Sequence, residues 1–194
     1  MAALDDLLHV EVTTRAEWRS WLVEHHEQRA SIWLVTFKKS VRPELHLPYD
    51  DLVEEALCFG WVDGLVRKLD GERSKLLLSP RRPGSTWSRP NKRRVAHLVK
   101  TGRMAPAGLA VIERARADGS WTVLDEIEDL VEPPDLGAEL DRDPAARAGW
   151  DRLPASRKKP LLWGLKSARR PETRAKRLTA LMAEVLSRSS PGPG

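Results

Sequence analysis

Cysteine is almost missing from this chain. The single one, Cys58, excludes an internal disulfide, and no Cys-x-x-Cys pair or Cys/His cluster has the spacing of a zinc site. Such a chain must fold on its hydrophobic core, and it suits a reducing compartment. No apolar run approaches the roughly 20 residues that span a bilayer, so no membrane insertion is expected. Met1 to Val10 holds Asp5 and Asp6 in place of a basic region followed by an apolar one, which points to the cytoplasm. The catalytic signatures G-x-S-x-G and H-E-x-x-H, the Walker loop and G-x-G-x-x-G are all lacking. The histidines add little: His25 and His26 are adjacent and diverge on a helix, and His9, His46 and His97 are isolated. No metal and no cofactor is expected.

What is present describes a foldable globular chain. Of 194 residues, 41% are hydrophobic and 31% charged, outside the range of a disordered polymer. The net charge of +5 either favours anionic partners or serves solubility. Aromatic usage is skewed: eight Trp stand against two Phe and one Tyr, which supplies indole faces for the core and for stacking on a ligand.

The patterning predicts an α+β fold, mostly helical, with a small antiparallel sheet (a strand plus a hairpin) in the N-terminal half and a helical C-terminal part. Thr14-Arg15-Ala16-Glu17 has the form of a capping box, followed by Trp18, Trp21, Leu22 and His25 at helical spacing. Ser31 to Lys38 reads as a strand. Asp50 is placed to cap a second helix that Gly60 would end. Trp61 to Leu69 and Ser74 to Ser79 read as strands joined by a tight turn at Asp70-Gly71. Helices follow, Trp121 to Val131 among them. The double proline Pro133-Pro134 marks a boundary between a core region, residues 1–132, and a helical subdomain packed on it, residues 133–188; residues 189–194 read as a disordered tail.

Three constellations could carry function. Strand alternation from Trp61 sends Trp61, Asp63, Leu65 and Arg67 to one face, so Asp63 and Arg67 either hold a polar ligand between them or close that face as an ion pair. The loop from Ser79 to Lys92 ends at a helix N-terminus, where backbone N–H groups with Arg81, Arg82 and Arg89 make an anion site and Trp87 offers a stacking face. Alternatively its serines are turn and cap residues and Trp87 is a core anchor. On the last helix Arg170, Arg174 and Arg177 fall on one face, which could track phosphates or be merely solvated. Cys58, near a helix C-terminus among apolar neighbours, reads as an inert thiol.

Ala56-Leu-Cys-Phe-Gly-Trp-Val-Asp-Gly64, Ser79-Pro-Arg-Arg-Pro83, Ser85-Thr-Trp-Ser-Arg-Pro-Asn91, Gly102-Arg-Met104, Gly119-Ser-Trp121 and Pro171-Glu-Thr-Arg174 together resemble the YdeI/OmpD-associated, or bacteriocin-protection, proteins. The resemblance runs from about Trp18 to Leu186. It implies a link to tolerance of antimicrobial peptides or envelope stress, and carries no catalytic residues over.

The leading expectation is a cytoplasmic stress- or antimicrobial-protection protein. It would bind a small anionic or aromatic ligand in a pocket of Trp61, Asp63, Arg67, Arg81, Ser85, Trp87 and Asn91. Nucleic acid is the alternative partner, held by Arg170, Arg174 and Arg177 with Trp163 or Trp87 stacking. A third reading is an enzyme with Asp63 as general base.

Overall fold

The computed structural model describes residues 4–189, so of the expected tail only Ser189, the end of the last helix, falls among the described residues. The chain divides into two compact units, Met1–Val123 and Leu124–Gly194. No helix among the described residues is long and apolar enough to cross a membrane.

The first unit runs β1 (His9–Glu11), α1 (Arg15–His25), β2 (Ile32–Phe37), α2 (Tyr49–Cys58), β3 (Trp61–Lys68), β4 (Arg73–Pro80), α3 (Arg89–Lys100) and α4 (Pro106–Ala117). Its strands form one sheet in the order β1-β2-β4-β3. The expected strand and hairpin are β2, β4 and β3, all antiparallel. The sheet is nevertheless mixed, because β1 lies parallel to β2. Parallel neighbours need a crossover, which α1 supplies. Ile32, Leu34, Leu76 and Leu78 face a core filled by Trp18 and Leu22 of α1 and by Leu52, Val53, Ala56 and Leu57 of α2.

Local chemistry accounts for the element ends. The Thr14 hydroxyl accepts from the Glu17 N–H, and the Glu17 carboxylate accepts from the N–H groups of Thr13 and Thr14, so the capping box is complete. Helix α2 begins differently from expectation: Pro48 precedes it without a side-chain cap, and Asp50 lies in its first turn, paired with Arg94. Gly60, at φ +78°, ends it in the left-handed conformation that glycine adopts without strain. The hairpin closes through Asp70, whose carboxylate accepts from the N–H groups of Glu72 and Arg73, while Lys38 Nζ donates to the carbonyls of Asp70 and Gly71.

One irregularity matters for the site. Between Asp63 and Val66 strand β3 holds one residue more than β4: Asp63 pairs with Leu78, Val66 with Leu76 and Arg67 with Lys75. This bulge inverts the alternation beyond it. Trp61 and Asp63 do share the face of Leu78, but Arg67 emerges on the opposite face with Lys75, over the indole of Trp33. The single face expected for Asp63 and Arg67 therefore does not exist.

The second unit is helical: α5 (Asp125–Glu128), α6 (Pro134–Arg142), α7 (Pro144–Arg152), α8 (Ala155–Lys166) and α9 (Pro171–Ser189) around Leu136, Leu140, Trp150, Leu165, Leu181 and Val185. The helix expected over Trp121 to Val131 shortens to α5, since residues 121–124 are turn and the Trp121 N–H turns back to the Ala115 carbonyl. Pro133 and Pro134 start α6 inside this unit, as its N-cap and first residue.

Candidate functional site

The segment that joins β4 to α3 leaves the sheet at Pro80. The Arg81 N–H donates to the Gly60 carbonyl at 3.0 Å, tying the segment to the end of α2. Arg82-Pro-Gly-Ser85 then turns: the Ser85 N–H reaches the Arg82 carbonyl at 3.1 Å, with proline second and Gly84 third at φ +75°. Those are the residue types that a type II turn requires. Asp118 fastens the turn by accepting from the Gly84 N–H.

This path lays Arg81 inside the protein. The residue is 6% exposed, and its guanidinium sits over the Trp87 indole, with one N–H donating to the Thr86 carbonyl at 3.0 Å. Its Nε is buried without a partner, and no carboxylate among the described residues pairs with it; Asp63 acts only as a more distant attraction. Burial pushes its pKa down to about 10, which still leaves it charged at neutral pH. A buried, unpaired cation costs several kcal/mol unless something supplies the missing charge.

Arg81 lines a cleft of about 760 Å³. Phe59, Ala107 and Val111 form its apolar wall, and Arg29, Arg82 and Arg114 line it beside Arg81. None of these three exposed arginines makes an ion pair among the described residues. The cleft's one carboxylate is Glu27. A recess of about 170 Å³ adjoins it, sharing Arg29, Pro80 and Arg82 and adding the hydroxyls of Ser31, Ser79 and Ser85. Behind the loop a narrow crevice shares Arg81, Arg82 and Arg114 and includes Ser85, Trp87 and Asp118. The arrangement concentrates donors and positive charge, and it suits an anion.

The residues singled out in the sequence therefore separate. Arg81 and Ser85 reach the cleft and its recess, and Trp87 the crevice behind it. Trp87 is packed against Trp121 with centroids 4.9 Å apart, and Trp61 against Trp21, its N–H held by the His26 carbonyl. Both indoles are essentially inaccessible, so neither offers a free face to an aromatic ligand. Asn91 accepts from Arg94 through its side chain and takes the Ser88 cap through its N–H. Arg67 pairs with Asp5 at 3.4 Å. Asp63 accepts the phenolic hydrogen of Tyr49, and neither it nor Arg67 lines the cleft.

Two groups of cations are spent internally. Glu55, fully buried on α2, accepts from Arg15 Nε at 2.6 Å and Arg19 at 2.7 Å, and pairs with Arg103. That cluster binds α1, α2 and the end of α3 together. Beside it the Cys58 thiol is pushed up, chiefly by burial and then by Glu55. On α9, Arg174 grips Asp135 with two bonds of 2.6 and 2.7 Å and donates to the Leu165 carbonyl, while Arg177 donates to the Gly164 carbonyl and to Ser167. Of the basic face expected of Arg170, Arg174 and Arg177, Arg174 is neutralised by Asp135, whereas Arg177 is exposed and bonds only neutral acceptors. A pocket of about 300 Å³ beside Arg174 in the second unit has its charges matched in place, Lys166 by Glu126 and Arg174 by Asp135.

Sequence patterning missed Arg29 and Arg114. They lie 52 and 33 residues from Arg81 on opposite sides in the chain, one after α1 and one on α4, and no local motif marks them.

Residues 10–111, just over half of the chain, match the family described as "Domain of unknown function (DUF8412)". Residues 129–187 match "Bacteriocin-protection, YdeI or OmpD-Associated", the family that the sequence resembles. The motifs from Ala56 to Asn91 lie in the first match and Pro171-Glu-Thr-Arg174 in the second. No curated protein and no solved structure matches the chain.

Proposed function

The chain belongs to the family described as a domain of unknown function (DUF8412) and carries a bacteriocin-protection, YdeI or OmpD-associated domain at residues 129–187, and from that premise we propose a cytoplasmic antimicrobial- or stress-protection protein that binds a small anion in the arginine-lined cleft of its first unit. The observation that carries the reading is Arg81: a guanidinium held inside the fold beside an open cleft, with an unpartnered Nε and no carboxylate of its own. A bound oxyanion would complete it, and hydrogen bonds to charged groups are worth about 1.5–3 kcal/mol each. Ligand recognition is therefore by charge, with the apolar wall of Phe59, Ala107 and Val111 shaping the remainder.

Nucleic-acid binding through the last helix has less support, because Arg174, the middle arginine of the expected face, is paired with Asp135. A general-base role for Asp63 meets the same difficulty, since one oxygen already accepts the Tyr49 hydroxyl.

The direct test is isothermal titration of the full chain with inorganic phosphate and with sulfate at low ionic strength. Saturable binding that Arg81→Met removes supports the reading. Absence of any heat or thermal stabilisation with either anion at millimolar concentration would sink it.

A further inference from the structure

The arginines of the cleft are spread over its two ends. Arg81 and Arg114 border both the cleft and the narrow crevice behind the loop. Arg29 borders the cleft and the outer recess, where the hydroxyls of Ser31, Ser79 and Ser85 add neutral donors, and Arg82, between the two ends, borders the recess as well as the crevice. Ser31 and Ser79 already hydrogen-bond each other across 2.7 Å, so their remaining capacity faces the recess as a pair. A single phosphoryl group held at one end leaves the donors of the other unused.

Helix α4 adds to the inner end. It begins at the cleft wall, where Ala107 is its second residue, and no side chain caps it. Its first-turn amides carry the positive end of a helix of 12 residues. Arg81, whose buried Nε has no partner, lines the same cleft, so two features favour negative charge along it.

Charge counting narrows the class. The four guanidinium groups against the carboxylate of Glu27 leave three positive charges along the cleft, and two once Asp118 of the adjoining crevice is counted. A diphosphate monoester carries about three negative charges at neutral pH, because the second ionisation of a terminal phosphate lies near 6. The apolar wall of Phe59, Ala107 and Val111 is left for an organic group, and 760 Å³ exceeds what an inorganic diphosphate fills.

We propose that the cleft binds a diphosphate ester of a small organic molecule, one phosphoryl group at Arg81 and Arg114, the other at Arg29 and Arg82, and the organic part against Phe59 and Val111. The proposal rests on the anion-binding reading above and adds to it the number of anionic groups and the ester.

Calorimetric titration with inorganic phosphate, inorganic diphosphate and ADP, at one ionic strength, tests each part. Diphosphate is expected to bind about tenfold or more tightly than phosphate, and ADP at least as tightly as diphosphate. The double variant Arg29→Ala/Arg82→Ala removes two exposed side chains, and its folding is checked by its melting curve. In that variant diphosphate should lose its advantage and bind no more tightly than phosphate does to the same variant. Equal affinities for phosphate and diphosphate would overturn the two-group assignment while leaving anion binding intact. Diphosphate binding with ADP about tenfold weaker would overturn the ester. No binding of any of the three removes the anion reading and this inference with it.

Discussion

The guanidinium carbon of Arg81 stands 3.6 Å from the centre of the Trp87 indole, inside the fold and on the wall of the arginine-lined cleft. The contact fixes a cation where solvent cannot neutralise it, and Trp87 is itself fixed by Trp121. Stability and binding are therefore set against each other at one residue. Arg81→Met keeps the apolar stem and removes the buried charge, at the loss of the bond to the Thr86 carbonyl. Replacing buried charge by an apolar group of similar volume is commonly neutral or stabilising. The expected result is an unliganded protein at least as stable as the parent, by up to about 1 kcal/mol or about 3 °C in melting temperature, that no longer binds phosphate. A variant that is clearly less stable and still binds would show that Arg81 is a structural cation.

Tyr49 offers a spectroscopic probe, because it is the only tyrosine in the chain. Its phenol is pushed up to about 12, first by burial and then by its hydrogen bond to Asp63 and the charge of that carboxylate. The sign follows from the neutral form being favoured in the fold. This contribution to stability is present below the ordinary phenol pKa near 10 and is lost as pH rises from there through 12. Phenolate absorbance should show a midpoint near 12 in the native protein. Asp63→Asn should lower that midpoint and leave it above 10, since burial is the larger cause. A native midpoint at the ordinary value would mean that the Tyr49–Asp63 bond does not form in solution.

These two sites differ in how far the sequence announces them. Thr14 and Glu17 are three residues apart, so the capping box is visible before any fold is known. The apolar runs of β2, β4 and α2 are equally visible, because local periodicity specifies them. Strand β1 is three residues long, and its existence depends on the partner β2 supplies. The bulge near Gly64 and Leu65 has no signature that separates it from regular alternation, and it alone moves Arg67 to the other face. Arg81 was named from its loop, whereas Arg29 and Arg114 join it through the packing of three elements distant in sequence. Charge on α9 misled for a related reason. The spacing of Arg174 and Arg177 is local, but their partners Asp135 and the Gly164 carbonyl are supplied by other helices.

The wall of the cleft includes a close backbone approach between Gly108 of α4 and the C-terminus of α2. A Cβ on Gly108 would stand 2.2 Å from the Cys58 carbonyl oxygen and 2.7 Å from its carbon, and that same carbonyl accepts from the Ala105 N–H at 3.1 Å. Within a helix, alanine is ordinarily favoured over glycine by about 0.5–1 kcal/mol. Gly164 on α8 tests that ordinary case, since nothing lies within 4 Å of the Cβ it would gain. Gly164→Ala is therefore expected to raise stability by about 0.5–1 kcal/mol. Gly108→Ala should lower it by about 3 kcal/mol, because the obstructing atoms are backbone and cannot rotate away. Moving α4 outward to relieve the clash also carries Ala107 and Val111 off the cleft wall, so phosphate affinity should fall in the same variant. Equilibrium denaturation and calorimetry on both variants separate the outcomes: opposite signs of stability change confirm the close approach, and equal, small changes would refute it.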